Sequence, residues 1–279
     1  MKGILMILLA LTVLFSAACG QTPEEKVKAF EDAHNALMEE YNKMMDSLST
    51  DREKAQAYYD DFVGRYVDFN LDAAKKNPDN EVAIQVLMNL RGLIDDEQAS
   101  QIISRMSQEM LEDDAVKRMK QGLDARLETS EGKMFKDFTV NSVVGQTRSI
   151  PPQPMYAEVK LSDYVGKGKY ILLDFWSPWC GPCRREMPNI KAVYDKYKGD
   201  KFDVVSIAVW EREPVNVTVE TAAKLDMTWN QINNAGREAA EIYGVEAIPH
   251  LILFGPDGTI LKRGFHGAEI EEIVSSYVK

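Results

Sequence analysis

Cys180 and Cys183, separated by Gly181-Pro182, are the residues of this 279-residue chain whose type and spacing most directly carry chemistry. A C-x-x-C pair either gives two thiolates to a metal or cycles between dithiol and disulfide. Zinc needs two more ligands, and a chain with three Cys and three His offers neither a second C-x-x-C nor an H-x-x-x-H. The expectation is redox chemistry with no metal and no cofactor.

The flanking residues must position the pair. Tyr170 to Trp176 reads as an apolar strand that runs through Ser177-Pro178-Trp179 straight into Cys180, and Phe202 to Val209 reads as a second strand. Between them Ile190, Val193, Tyr194 and Tyr197 recur at helical spacing. Strand, helix and strand place both sulfurs at a helix N-terminus, within bonding reach of each other. Unpaired N–H groups and the positive end of the helix dipole stabilise a thiolate there, toward a pKa of about 7. Cys180 is therefore the expected nucleophile, with one sulfur exposed for attack. Cys183, one turn inside, is expected to resolve the mixed disulfide.

Residues 174–188, Asp-Phe-Trp-Ser-Pro-Trp-Cys-Gly-Pro-Cys-Arg-Arg-Glu-Met-Pro, resemble the TlpA/ResA-like branch of the thioredoxin-fold thiol-disulfide oxidoreductases, with Pro188 at the helix kink. The resemblance extends over about residues 131 to 279, from Gly132-Lys133-Met134-Phe135 onward. It implies an α/β thioredoxin fold, a central mixed sheet flanked by helices. Asp174 then corresponds to a buried acid that exchanges a proton with the resolving thiol, its pKa raised by desolvation in an apolar strand. Ile248-Pro249 corresponds to a cis-proline loop lying against the cysteines, where the backbone of the preceding residue pairs with a substrate strand. Glu211 falls where some members carry a glutamate near the active site. Trp179, Gly181, Pro182, Ile248 and His250 are the expected substrate-contacting positions. His250 stands where thioredoxins commonly have Thr, and as a cation beside Cys180 it would stabilise the thiolate. The chain has Ser206-Ile207-Ala208 where thioredoxin carries a lysine on its central strand. Gly181-Pro182 is the thioredoxin dipeptide, which implies a reductant.

The N-terminus reads as a secretory signal over residues 1–18: Lys2, an apolar run from Ile4 to Phe15, and the small residues Ser16-Ala17-Ala18. The run is too short for a spanning helix of about 20 residues. Cys19 directly after it resembles a bacterial lipobox and is the expected lipid anchor; ordinary cleavage after Ala18, with Cys19 an incidental thiol, is the alternative. The expected location is the cell envelope, lipid-anchored and facing the periplasm or exterior. Implied partners are disulfide-bonded or thiol-bearing envelope proteins, a membrane electron donor and the membrane itself. A net charge of -11 argues against nucleic acid.

That charge is uneven. Residues 19–133 hold 25 acids and 15 bases, residues 134–279 hold 19 and 17. The step separates an acidic all-α domain, 19–130, from the thioredoxin-like domain, 131–279. In the first, Val27, Phe30, His34, Leu37, Tyr41, Met44 and Leu48 mark one helical face. A Thr50–Glu53 capping box opens a second helix that ends before Asn77-Pro78 and pairs with the first as an antiparallel hairpin. Helices over 80–91, 95–111 and 113–127 follow. Two other functions fit parts of the sequence. One is a thiol peroxidase, for which Ser177 matches Pro-x-x-x-Thr/Ser-x-x-Cys but Leu173 replaces the proline. The other is a client-capturing helical domain on a thioredoxin scaffold.

Overall fold

In the computed structural model, which describes residues 21–150 and 153–279, Thr22 opens the first helix. Its hydroxyl accepts from Glu25 N while the Glu25 carboxylate accepts from Thr22 N, so two otherwise orphaned donors are satisfied at once. This helix, α1, spans Pro23–Ser47. The second, α2, spans Arg52–Lys76, and its cap is Asp51, whose carboxylate accepts from Lys54 N, rather than the expected Thr50. The two run antiparallel: Phe30 stacks on Phe69 at 5.5 Å near one end and Tyr41 meets Phe62 at 4.4 Å near the other. His34 Nε2 lies 3.0 Å from the Tyr66 hydroxyl, so the histidine on the apolar stripe has a hydrogen-bond partner. The signal segment and Cys19 lie outside the described residues.

Shorter helices follow: α3 (Val82–Asn89), α4 (Asp96–Ile103), α5 (Gln108–Leu111) and α6 (Asp114–Glu128). The single helix expected over 95–111 is broken because Ser107 caps a new start, its hydroxyl accepting from Met110 N at 3.3 Å, and its own N–H bonds to Pro78 O.

The chain divides into two units between Lys120 and Gln121, inside α6 and ahead of the domain boundary expected at 130/131. The cause is local. Gly244 has φ +58°, and a Cβ there would stand 2.5 Å from Arg126 Cγ and 2.7 Å from Gly122 O, so only glycine lets the last turns of α6 approach. Arg126 Nη1 meets Glu246 Oε1 at 2.5 Å. Arg263 then donates to Thr129 O and to Tyr243 O, and the buried Tyr243 hydroxyl donates to Lys136 O. Composition carries no trace of these contacts.

The second unit is built on a five-stranded sheet in the order β5 (Asn230–Ile232), β4 (Phe202–Ala208), β3 (Tyr170–Trp176), β6 (His250–Phe254), β7 (Ile260–Arg263). β3, β4 and β5 are parallel, and β6 is antiparallel to both its neighbours, which makes the sheet mixed. A separate antiparallel hairpin, β1 (Thr139–Gln146) with β2 (Pro154–Lys160), went unpredicted because its mostly exposed residues show no apolar alternation.

Both sheet faces are covered, so β3 is apolar on each. One core gathers Leu172, Trp176, Val204, Ala208, Leu251 and Leu253 with Ile190 and Val193 of α7 (Gly181–Tyr197), Ala222 of α8 (Val215–Lys224) and Ile270 and Val274 of α10 (Glu269–Tyr277). The other gathers Leu173, Phe175, Ile252 and Phe254 with Ala239 and Ala240 of α9 (Glu238–Ile242) and Tyr243. Side chains alternate along a strand, so position parity assigns Asp174 and Ser206 to the α7 face and His250 to the opposite face. Among the described residues no helix is long and apolar enough to cross a membrane.

Candidate active site

The site forms where β3 ends. Cys180 N donates to Ser177 O at 3.0 Å, turning the chain, and Cys180 becomes the N-cap of α7, with its sulfur accepting from Cys183 N at 3.1 Å. Pro182 occupies the first turn, where its missing N–H costs nothing, and Pro188 stands inside the helix. Cys180 and Cys183 are joined as a disulfide with Cα atoms 5.3 Å apart. In this oxidised form Cys183 is fully buried and Cys180 is 3% exposed, so the exposed sulfur expected from the motif is covered. Part of that cover is the opposing loop: Cys180 Sγ lies 3.7 Å from Ile248 O, and the Ile248–Pro249 peptide is cis.

Asp174 and Ser206 are register partners on adjacent strands and share the α7 face with both cysteines. Asp174 is fully buried, and Ser206 Oγ bonds its Oδ2 at 2.8 Å. Burial pushes the Asp174 pKa up to about 7, the Ser206 bond opposes that rise, and Glu186 adds to it. Oδ1 has no hydrogen-bond partner among the described residues, so a proton can be held there without breaking a bond. A carboxyl poised near neutrality can take up and release a proton within the working pH range.

Two participants were missed in the sequence. Trp229 Nε1 donates to Ser206 Oγ at 2.8 Å, behind the aspartate. Glu186, three residues after Cys183 on α7, is only 8% exposed and accepts from Gly267 N at 3.1 Å and from Asn189 Nδ2 at 2.7 Å. An acid one turn past the second cysteine faces the same way as it, and that spacing was the available signal.

Trp179 is 38% exposed, and its indole N–H donates to Trp210 O at 2.9 Å. Trp210 has φ +54°, an unusual backbone for a bulky residue, and its N–H bonds to Gly236 O at 2.8 Å. Glu211 accepts from Asn234 N at 2.8 Å and from Gly236 N at 3.2 Å, and burial raises its pKa against those bonds. Its carboxylate is thus occupied in holding the 234–236 loop. The arrangement brings Cys180, Cys183, Trp179, Gly181, Pro182, Ile248 and Pro249 together, with Asp174 beneath.

His250 departs from expectation. It lies on the opposite sheet face, paired in register with Phe175, its ring 6.3 Å from that phenyl. Arg263 Nη2 is 3.3 Å from His250 Nε2, and a guanidinium can only donate, so Nε2 accepts and the proton sits on Nδ1. Desolvation, with the nearby Arg263 and His266, drives its pKa down to about 3. It is a neutral ring and supplies no cation to Cys180.

Over its second unit the chain is similar to known proteins. The AhpC/TSA family pattern matches residues 132–263. The thiol-disulfide oxidoreductase ResA of Bacillus cereus is 27% identical over 161 residues, 57% of this chain and 83% of that protein. ResA of Geobacillus thermodenitrificans is 31% identical over 131 residues, 47% of this chain and 67% of that protein. Among solved structures, the thioredoxin domain of a thiol-disulfide oxidoreductase from Bacteroides vulgatus superposes with a TM-score of 0.45 at 24% identity, covering 54% of this chain and 99% of that one.

Proposed function

The chain belongs to the ResA-like thiol-disulfide oxidoreductases of the thioredoxin fold, and from that premise we propose that it reduces protein disulfides in the cell envelope through Cys180 and Cys183, held at the membrane by a lipid on Cys19. The observation that carries the reading is the Cys180–Cys183 disulfide at the N-terminus of α7, with Cys180 Sγ 3.7 Å from the carbonyl of Ile248.

In the reduced protein the Cys180 thiolate attacks one sulfur of a client disulfide. A Cys180–client S–S bond forms, and the client's other sulfur leaves as a thiolate that takes up a proton. Asp174, ionised, accepts the Cys183 proton, and the Cys183 thiolate attacks Cys180 Sγ. The intramolecular disulfide closes and the client's second sulfur leaves. Two electrons have passed to the client, and a membrane dithiol carrier must return two electrons and two protons.

The deciding experiment is trapping. With Cys183→Ser, envelope proteins should accumulate as mixed disulfides on Cys180, and Cys180→Ser should trap none. Peroxide consumption at a rate exceeding disulfide reduction would replace this reading with a peroxidase. For the anchor, Cys19→Ala should release the protein from membranes, and a wild-type protein wholly in the soluble fraction would refute lipidation.

A further inference from the structure

Each of the two residues flanking Cys180, Trp179 and Gly181, has an arginine guanidinium lying against it. The Arg212 Cζ lies 3.9 Å from the Trp179 ring centroid. Arg185 Nη1 lies 3.6 Å from the position a Cβ would take on Gly181. Both arginines are exposed, and among the described residues neither has an ion pair or a hydrogen bond from its side chain. Elsewhere in the second unit Arg126 is engaged by Glu246, and Arg263 by backbone carbonyls and Thr129.

Trp179, Trp210, Arg212 and Arg237 line a groove together with two acids, Glu211 and Glu246, and both acids are engaged. Glu211 is held by backbone N–H groups, and Glu246 by Arg126. α7 opens with no acidic residue in its first turn, although acids there would suit the helix dipole. The exposed rim beside the disulfide therefore carries unpaired guanidiniums in a chain whose net charge is -11, while the acids of the site, Asp174 and Glu186, are buried. Beyond about 8 Å that net charge is screened at physiological salt, so the local guanidiniums govern what docks.

Building on the oxidoreductase reading above, we propose that Arg185 and Arg212 form a two-sided clamp that selects client segments carrying Asp or Glu beside the reactive cysteine. Guanidinium forks match carboxylates bidentately, and Trp179 holds the Arg212 plane in place by stacking, so little side-chain freedom is lost on docking. The same cations lie where the client's departing thiolate develops charge, which favours its release.

The test uses the reduced protein and three disulfide-linked peptides that differ only in the residues next to Cys: Asp, Ser or Lys. Single-turnover rates should fall in the order acidic, neutral, basic. The acidic-to-basic ratio should be about tenfold at low salt and shrink toward one at about 1 M NaCl. Arg185→Gln with Arg212→Gln should abolish the ratio, and the double Lys replacement should retain most of it. Equal rates on acidic and basic peptides, or a ratio that survives the double Gln variant, overturn the clamp while leaving the oxidoreductase intact. If no peptide is reduced, the enzymatic reading fails. The clamp is then still decided by whether Cys→Ser versions of the peptides bind in the same order.

Discussion

Ser206 donates its hydroxyl hydrogen to Asp174 Oδ2 across 2.8 Å, and the direction of that bond is fixed from behind. Trp229 Nε1–H can only donate, and it points at the same Ser206 oxygen from 2.8 Å, so the hydroxyl proton has nowhere to go but the carboxylate. Where thioredoxin sets a lysine on this strand, the chain uses a neutral relay. A hydrogen bond favours the ionised aspartate less than a full positive charge would, which leaves burial dominant and the pKa near 7.

Burial of Asp174 makes stability depend on pH in a definite direction. Its folded pKa, about 7, exceeds the ordinary value of 3.8, so the folded state holds the extra proton between those limits. Stability is full below the lower limit, falls as pH rises through the window, and is constant above it. The drop corresponds to about 4 kcal/mol. Asp174→Asn, which still accepts from Ser206, should match the wild type in denaturant unfolding at about pH 4 and exceed it by roughly 2–4 kcal/mol at about pH 8. Parallel stability curves for the two proteins would remove the burial argument.

Removing the relay should move the aspartate further. Ser206→Ala takes away the bond that favours the carboxylate, and Trp229→Phe leaves the hydroxyl free to turn away. Both should raise the midpoint for resolution of the mixed disulfide by Cys183, by about one pH unit for Ser206→Ala and less for Trp229→Phe. Stopped-flow resolution rates across the neutral range measure it. An unchanged midpoint in Ser206→Ala would show that Asp174 does not govern the step.

The redox motif, the strand leading into it and the cis-proline loop were legible because each depends on a few contiguous residues: Leu172 and Leu173 before Cys180, Ile248-Pro249 before Leu251. What escaped depends on which face a strand residue takes and what lies across from it. His250 stands beside Pro249 in sequence, yet strand parity turns it toward Phe175 and Arg263. Glu186 and Trp229 belong to an α-helix and to the residue before β5, 43 positions apart, and only the folded core brings both near Asp174 and Ser206. The division at Lys120/Gln121 rests on Gly244 and Tyr243, residues whose composition signals nothing.

Glu211 gives a prediction that separates holding a loop from moving a proton. Its carboxylate binds Asn234 N and Gly236 N, and Gly236 O in turn receives Trp210 N–H. Glu211→Ala should cost about 1–3 kcal/mol of stability and alter Trp fluorescence, because two backbone donors lose their acceptor and the Trp210 carbonyl that holds Trp179 is loosened. The pH profile of disulfide exchange should keep its shape. A displaced acidic limb in that profile would instead place Glu211 in proton transfer.

The last prediction concerns the direction of electron flow. A dithiol gives up electrons more readily when its thiolate is less stabilised, and Cys180 receives one backbone donor, Cys183 N at 3.1 Å, since Pro182 has none. A cationic His250 would have shifted the balance toward an oxidant, but the ring is neutral at any working pH, with a pKa of about 3, and faces the other side of the sheet. Arg185 and Arg212 are exposed, so water and salt weaken their effect on the thiolate. Equilibration with a glutathione buffer should therefore give a potential in the thioredoxin range near about -270 mV, well below the roughly -120 mV of DsbA. His250→Gln should shift it by less than about 10 mV, since it removes no charge near the sulfurs. A wild-type potential close to that of DsbA would make the protein an oxidant. A large positive displacement in His250→Gln would mean that the ring acts on Cys180 after all.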